Sequence, residues 1–513
     1  LTAMLQRRIV EFAPLNLATP VFDFARKDPD RLQLRGPLTE PRVEITRGQL
    51  ATLIARRAQQ LSTEMNEGDR LLLIAPTTPE FVVEFFAAQS IGLTVVAVNP
   101  LATSREIDYF IDDSGANRVV AHPAVAQAGQ ESAEKAGIAF ELCQLITPAD
   151  LAELPPFDDF TPVERKGEDV AVLLYTSGTT GRPKGAMLTV SNLTNAARIG
   201  GIDSKMTEDD RGGTSLPLFH VFGLSSVLMV AVAHGAQLTL LPRFDPVEQL
   251  KVMSHDKLTV VSGVPTMWNA IVHAPEGDYD FSHMRFALSG GASAAVELIR
   301  KFEERFGAVL TEGYGLTETS AMVSMNPLDG VRKPGSVGLP LPELEYCIKD
   351  LTGAEVPAGK VGEVCSRGPV NMPGYWKRED ATAEAIDEDG WFHTGDLGRV
   401  DEDGYLYIVD RLKDLIIHGG YNVYPREIEE AMYEHPGVLE AAVLGTDDDH
   451  YGQIVTAVIT PMPGVTLTAE EIEKFARERL SAYKIPRIIK FVDALPKGPS
   501  GKILKRAIDV SQL

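Results

Sequence analysis

Short β-branched runs alternate with helical periods through the first two-thirds of the chain. Residues 70–75 (RLLLIA) read as a buried strand, and residues 79–91 as a helix with proline in its first turn. A strand at 95–98, a helix at 104–112 and a strand at 119–121 follow. The same rhythm recurs at 170–174, 238–241, 260–261 and 286–288. Strands alternating with helices predict an α/β fold of parallel-rich sheets covered by helices on both faces. Ligands in such sheets bind beyond the carboxyl ends of the strands.

Between 335 and 409 the pattern changes to short strands (345–348, 362–366, 405–409) separated by Gly, Asp and Pro, which predicts a small β-rich subdomain. Beyond 410–414 (DRLKD) helices at 425–434 and 468–480 mix with strands at 440–444, 454–459 and 488–492. These predict a smaller α+β domain. The chain therefore divides into a large N-terminal domain, 1–411, and a C-terminal domain, 412–513.

Composition narrows the function. At 513 residues the chain exceeds one core, and 44% hydrophobic with 24% charged residues is ordinary for a globular protein. A formal charge of -23 argues against a nucleic-acid partner, which would need a basic footprint. Three dispersed cysteines, Cys143, Cys347 and Cys365, form no metal-binding spacing and suit a reducing cytosol. The most apolar stretch, 224–232, is too short to span a bilayer, and residues 1–11 lack the apolar run of a secretory signal. A cytoplasmic protein without a transmembrane segment is expected.

The candidate chemistry sits just after strand ends. Residues 175–185 (YTSGTTGRPKG) hold three glycines, four Ser/Thr hydroxyls and Lys184 directly after the strand at 170–174. The glycines let backbone N–H groups approach a ligand, and the hydroxyls and lysine add donors for phosphate oxygens. The spacing is not that of a Walker loop. Downstream, residues 312–319 (EGYGLTET) combine a flat ring at Tyr314, a donor at Thr317 and a carboxylate at Glu318 that can hold Mg²⁺. Gly290 and Gly291 end the strand at 286–288, where bare backbone can face a ring or an acyl chain. Asp396, in 391–396 (WFHTGD), can accept two hydroxyl hydrogen bonds. The apolar segment 217–223 (PLFHVFG) surrounds His220 and suggests a wall for an apolar group.

These segments, in this order over nearly the whole chain, resemble the adenylate-forming superfamily of acyl-CoA synthetases, beetle luciferases and peptide-synthetase adenylation domains. The resemblance implies an acid–CoA ligase using ATP, Mg²⁺ and coenzyme A. ATP would be held by Thr176, Ser177, Gly178, Thr179, Thr180, Gly181 and Lys184 in the loop, and by Gly291, Ala292, Glu312, Gly313 and Tyr314. Asp396, Ile408, Arg411 and Lys502 would complete that site. The metal would sit between Thr176 and Glu318. Lys502, Thr317, Glu318 and His220 would be catalytic, and His220, Val221, Phe222, Trp268, Gly290 and Gly291 would line the acyl pocket. The family commonly has a proline where Ser293 stands.

The resemblance also implies a mobile C-terminal domain that turns about Lys413. The turn would bring His418, Gly419, Gly420 and Tyr421 to the active site as a CoA tunnel. Segments such as 263–268 (GVPTMW) and 414–430 (DLIIHGGYNVYPREIEE) look most like bacterial medium- to long-chain fatty-acyl-CoA synthetases. An aryl-acid ligase of the benzoate or cinnamate type is the alternative. A peptide-synthetase domain fits less well, because it would hold an ammonium with an Asp where this chain has Phe219 to Phe222. A luciferase-type side activity shares every motif. A non-catalytic nucleotide-binding protein would not be expected to keep Lys184, Glu318, Asp396, Arg411 and Lys502 together. Relatives commonly form dimers, so a homodimer is among the assemblies implied.

Overall fold

The computed structural model describes residues 16–176, 182–350, 352–419, 421–448, 450–498 and 501–510. Ser177, Gly178, Thr179, Thr180, Gly181 and Gly420, all expected in binding loops, lie outside the described residues.

The first large sheet has six strands in the order Ala139–Leu142, Arg118–Ala121, Arg70–Ile74, Thr94–Val98, Val170–Thr176, Lys184–Thr189. All neighbours run parallel except the last pair, a hairpin. Strand Arg70–Ile74 shows why its sequence is a continuous apolar run. Leu71 and Leu73 face one core, whereas Leu72 and Ile74 face a second core under helices Ser104–Ser114 and Gln127–Ala136. Helix Pro79–Ser90 starts with proline at its first turn and is buried along its whole length. It packs against helix Arg47–Leu61, whose Arg57 donates to the buried Glu84 at 2.8 Å and also pairs with Glu141.

The second sheet has nine strands, and its central four, Gln237–Leu240, Arg211–Thr214, Val260–Gly263 and Phe286–Ser289, run parallel into Val309–Tyr314. The alternation of side chains divides this sheet. Val261, Ala287 and Leu310 pack into a core with helices Pro265–His273 and Val296–Phe306. Val260, Ser262, Phe286 and Leu288 face the opposite way, into a cavity. The cavity therefore lies along one face of the sheet.

The small β-subdomain is a four-stranded antiparallel sheet, Glu345–Lys349, Gly362–Arg367, Phe392–Val400 and Leu406–Arg411. Residues from Ile416 onward build their own core around strands Val438–Asp448 and Gly452–Pro461 and helices Pro425–Tyr433 and Ala469–Arg477. The parallel-rich α/β architecture with a separate α+β unit is thus the one the patterning implies. No described helix is long and apolar enough to cross a membrane.

Candidate active site

One cavity of about 1170 Å³ lies at the junction of the two large sheets, the β-subdomain and the C-terminal unit. Strand Val170–Thr176 leads to its rim and returns as Lys184–Thr189, with Thr176 paired opposite Lys184. The described residues on either side of the glycine-rich segment are thus paired on neighbouring strands. The root is braced from outside: the Tyr175 hydroxyl donates to Asp113 at 2.8 Å, and Asp113 also pairs with Arg378. Lys184 reaches the cavity with its ammonium 5.2 Å from the centre of the Tyr375 ring.

Strand Val309–Tyr314 delivers the second cluster. Thr317 and Glu318 lie in the short 3-10 turn beyond it, and both line the cavity. Glu318 is nearly buried, and its Oε1 accepts a 2.8 Å hydrogen bond from the Tyr375 hydroxyl. The Tyr314 hydroxyl donates to Asp396 Oδ2 at 2.6 Å, while Arg411 Nε pairs with Asp396 Oδ1 at 2.7 Å. Burial raises the Asp396 carboxyl, and Arg411 and Tyr314 oppose that rise. Ile408, on the neighbouring strand, lines the same wall. Glu312 stands two residues before Tyr314 and, unlike it, is not among the residues lining the cavity. It is fully enclosed, accepts from the Ala294 N–H at 2.8 Å, and burial pushes its carboxyl up to about 7.

The C-terminal unit closes the cavity with Lys502. Its side chain runs so close over Gly291 that a Cβ there would lie 2.7 Å from the lysine Cε. Gly291 also has φ +79, so glycine is required both for the backbone and for the approach. Burial and the Arg411 guanidinium push the Lys502 ammonium down to about 8, partly countered by Asp396. Two hydrogen bonds from helix Pro265–His273 hold this closed position. Thr266 Oγ1 donates to the Gly501 carbonyl at 2.7 Å, and Asn269 Nδ2 to the Leu439 carbonyl at 3.0 Å.

His220 lines the cavity beside Val221 and Phe222. Its Nδ1 accepts the Phe222 N–H at 3.2 Å, which leaves the ring proton on Nε2. Burial, reinforced by the nearby Lys502 charge, pushes the imidazole down to about 3 and keeps it a neutral donor. Residues Phe222–Met229 form a π-helix, a local widening that recurs at functional sites. The Phe222 ring packs against Gly290, where a Cβ would sit 3.0 Å from it.

Most of the residues expected at the site do meet here. Thr176, Lys184, His220, Val221, Phe222, Gly290, Gly291, Ala292, Gly313, Tyr314, Thr317, Glu318, Asp396, Ile408, Arg411, Lys413 and Lys502 all line the cavity. Trp268 does not, which corrects its expected place in the acyl wall. It is 1% exposed and packs against Phe302 on the far side of the sheet, behind Gly263. His418, Gly419 and Tyr421 also lie away from the cavity. His418 is buried against Tyr451, and Tyr421 stacks on Tyr483 at 4.7 Å. Sequence reading missed Tyr375, Thr266 and Asp203. Only Thr266 carried a signal, since its helix places Thr266 on the face opposite Met267, Trp268 and Ile271.

Comparison with known proteins fits this arrangement. Residues 21–376 match the AMP-binding enzyme family, and residues 427–502 match the AMP-binding enzyme C-terminal domain. A long-chain-fatty-acid–CoA ligase of Bacillus subtilis is 36% identical over 86% of this chain and 86% of that protein. A feruloyl-CoA synthase of Amycolatopsis is 37% identical over 90% of this chain and 92% of that protein. Among solved structures, ATP-bound MatB from Rhodopseudomonas palustris superposes with a TM-score of 0.87 at 34% identity, covering 96% of this chain and 97% of that one. Its apo form gives 0.78. ATP and CoA are substrates of acid–CoA ligases of this kind, usually with Mg²⁺. The chain belongs to the AMP-binding enzyme family and stands among its AMP-forming acid–CoA ligases.

Proposed function

We propose that this ligase activates carboxylic acids with an extended apolar body, medium- to long-chain fatty acids first. The carrying observation is the course of the cavity. From Lys502 and Gly291 it follows the strands Val260–Gly263 and Phe286–Ser289 back to their starts, between Phe222, Val230, Phe286, Leu288 and Met322. Three residue rises make this roughly 10 Å. A short or dianionic acid would leave that wall unfilled. An aryl acid is the second reading, favoured by Ser226, Ser262 and Asp203 within the same lining.

In this reading the domain boundary falls between Arg411 and Leu412, and each site residue has a role. Asp396 takes the ribose hydroxyls, with Tyr314 beside the adenine and Arg411 near ribose and phosphate. The Glu318 carboxylate and the Thr176 hydroxyl are hard oxygen donors that fit Mg²⁺, which would neutralise phosphate charge. The backbone and Lys184 hold the phosphate tail. The Nε2–H of His220 meets the substrate carboxylate without adding charge. One carboxylate oxygen attacks the α-phosphorus, the bond to the β-phosphate bridging oxygen breaks, and pyrophosphate leaves. Lys502 meets the charge that grows on the α-phosphate, so positioning and electrostatic stabilisation carry the step. The CoA thiol then attacks the acyl carbon, its proton is lost, and AMP departs.

For the second step the C-terminal domain turns about Lys413 and exchanges Lys502 for the loop at His418, Gly419 and Tyr421. The greater likeness to the ATP-bound than to the apo form of MatB supports reading the present arrangement as the adenylating one. The test is an acid panel from acetate to palmitate, with benzoate and coumarate, read as acid-dependent pyrophosphate release. The highest kcat/KM is expected between octanoate and palmitate. A maximum at acetate or at a dicarboxylate would overturn the proposal.

A further inference from the structure

The far end of the acyl cavity is not apolar. Helix Val190–Ser204 ends over the starts of the strands, where the Ser204 carbonyl accepts from Arg285, the residue before strand Phe286–Ser289. Asp203 therefore lies at the end of the cavity opposite Lys502 and is one of the residues that line it. It is half-buried, and among the described residues it has neither a hydrogen-bond nor an ion-pair partner. The neighbouring cations are engaged elsewhere: Lys205 pairs with Asp329 and Arg285 with Asp210. The Ser204 hydroxyl donates to its own helix at Gly200. Burial alone pushes the Asp203 carboxyl up to about 6, so it is mostly ionised near neutrality.

An acceptor withdrawn from water and left without a donor is costly, and an unbranched hydrocarbon end would deepen that cost by displacing its remaining water. A donor on the substrate would remove it. We propose that Asp203 is a specificity-determining residue that selects acids carrying a hydrogen-bond donor, a hydroxyl or an ammonium, at the end remote from the carboxylate. This rests on the apolar-acid reading above and refines it: the preferred substrate has an apolar middle and a polar tip. A phenolic acid and an ω-hydroxy fatty acid present the same chemistry to Asp203.

The experiment compares paired acids in pyrophosphate release: each of hexanoate, octanoate, decanoate and dodecanoate with its ω-hydroxy and ω-amino form, and cinnamate with 4-coumarate. The wild type should favour the donor-bearing member of at least one pair by roughly tenfold to a hundredfold in kcat/KM, the range for a hydrogen bond to a charged group. Asp203→Leu should abolish that preference and raise kcat/KM for the plain acid, with its unfolding midpoint in denaturant compared with wild type to check that it folds. Asp203→Asn, nearly isosteric, should keep part of a hydroxyl preference and lose an ammonium preference. These arms separate the two donor sources. Equal use of both members of every pair by the wild type overturns the proposal, as does a preference unchanged in Asp203→Leu. Either result leaves the apolar-acid reading standing, whereas failure to turn over any of these acids, plain or substituted, would remove that reading itself.

Discussion

Replacing Lys502 with alanine should dissect the two half-reactions. Lys502 is held at Gly291 and lies within the field of Arg411 and Asp396. Removing one such donor from a transition-state oxyanion site costs about 10²–10³ in rate, or roughly 2.7–4 kcal/mol. Lys502→Ala should therefore lose acyl-AMP formation by that factor, followed as pyrophosphate release. Conversion of synthetic acyl-AMP with CoA should stay near wild type, because in the proposed alternation a different face of the C-terminal domain serves that step. The pH dependence has a defined sign. With the ammonium pushed down to about 8, kcat/KM for adenylation should be level below that pH and fall as pH rises through it, since deprotonation removes the stabilising charge. Lys502→Arg keeps a charge that cannot be titrated in this range, so its lower rate should lack the alkaline limb. Equal loss of both half-reactions in Lys502→Ala, or an unchanged alkaline limb in Lys502→Arg, would refute the reasoning.

Three further outcomes follow from the geometry. Asp396→Ala removes the acceptor shared by Tyr314 and Arg411 and should raise the KM for ATP roughly tenfold or more, with the KM for the acid little changed in initial-rate kinetics. Lys413→Pro should stiffen the segment after Arg411, leaving pyrophosphate release near wild type while thioester formation from acyl-AMP falls; loss of both would argue against domain alternation. Arg57→Met strands the buried Glu84 carboxylate and should lower stability by about 3–5 kcal/mol in denaturant titration, with activity per folded molecule unchanged.

The alternation of elements was legible where a buried strand is a short apolar run, as in RLLLI at Arg70–Ile74 and TVVAV at Thr94–Val98, whereas Ala139–Leu142 and Arg211–Thr214 (RGGT) carry no such run and were not read. Every strand read in the first large sheet lies within a residue or two of its place. The hairpin return at Lys184–Thr189 was not read, because its residues KGAMLT carry weak β-propensity and its partners, Val170–Thr176 and the bridge from Ala186 to Tyr375, are fixed only by the fold. Motif residues were legible as chemistry, yet their mutual geometry was not. The Tyr375–Glu318 and Tyr314–Asp396 bonds join segments separated by dozens of residues and by a change of sheet. Trp268 was misplaced for a physical reason: the helix it belongs to presents Pro265 and Thr266 to the cavity and Met267, Trp268 and Ile271 to the core. A count of helical period from Pro265 would have placed it. Asp203 gave no signal at all, because a lone acidic residue near a helix end reads as solvated until the strands beneath it are known.

In the proposed reaction the cavity joins an acid to the α-phosphate of ATP before CoA takes part. Incubating the protein with ATP, Mg²⁺ and decanoate, without CoA, and analysing the mixture by mass spectrometry tests it most directly. Pyrophosphate and enzyme-bound decanoyl-AMP should appear in equal amounts, and adding CoA should convert the adenylate to decanoyl-CoA and AMP. Formation of ADP and phosphate, or pyrophosphate release that does not depend on any acid, would contradict it.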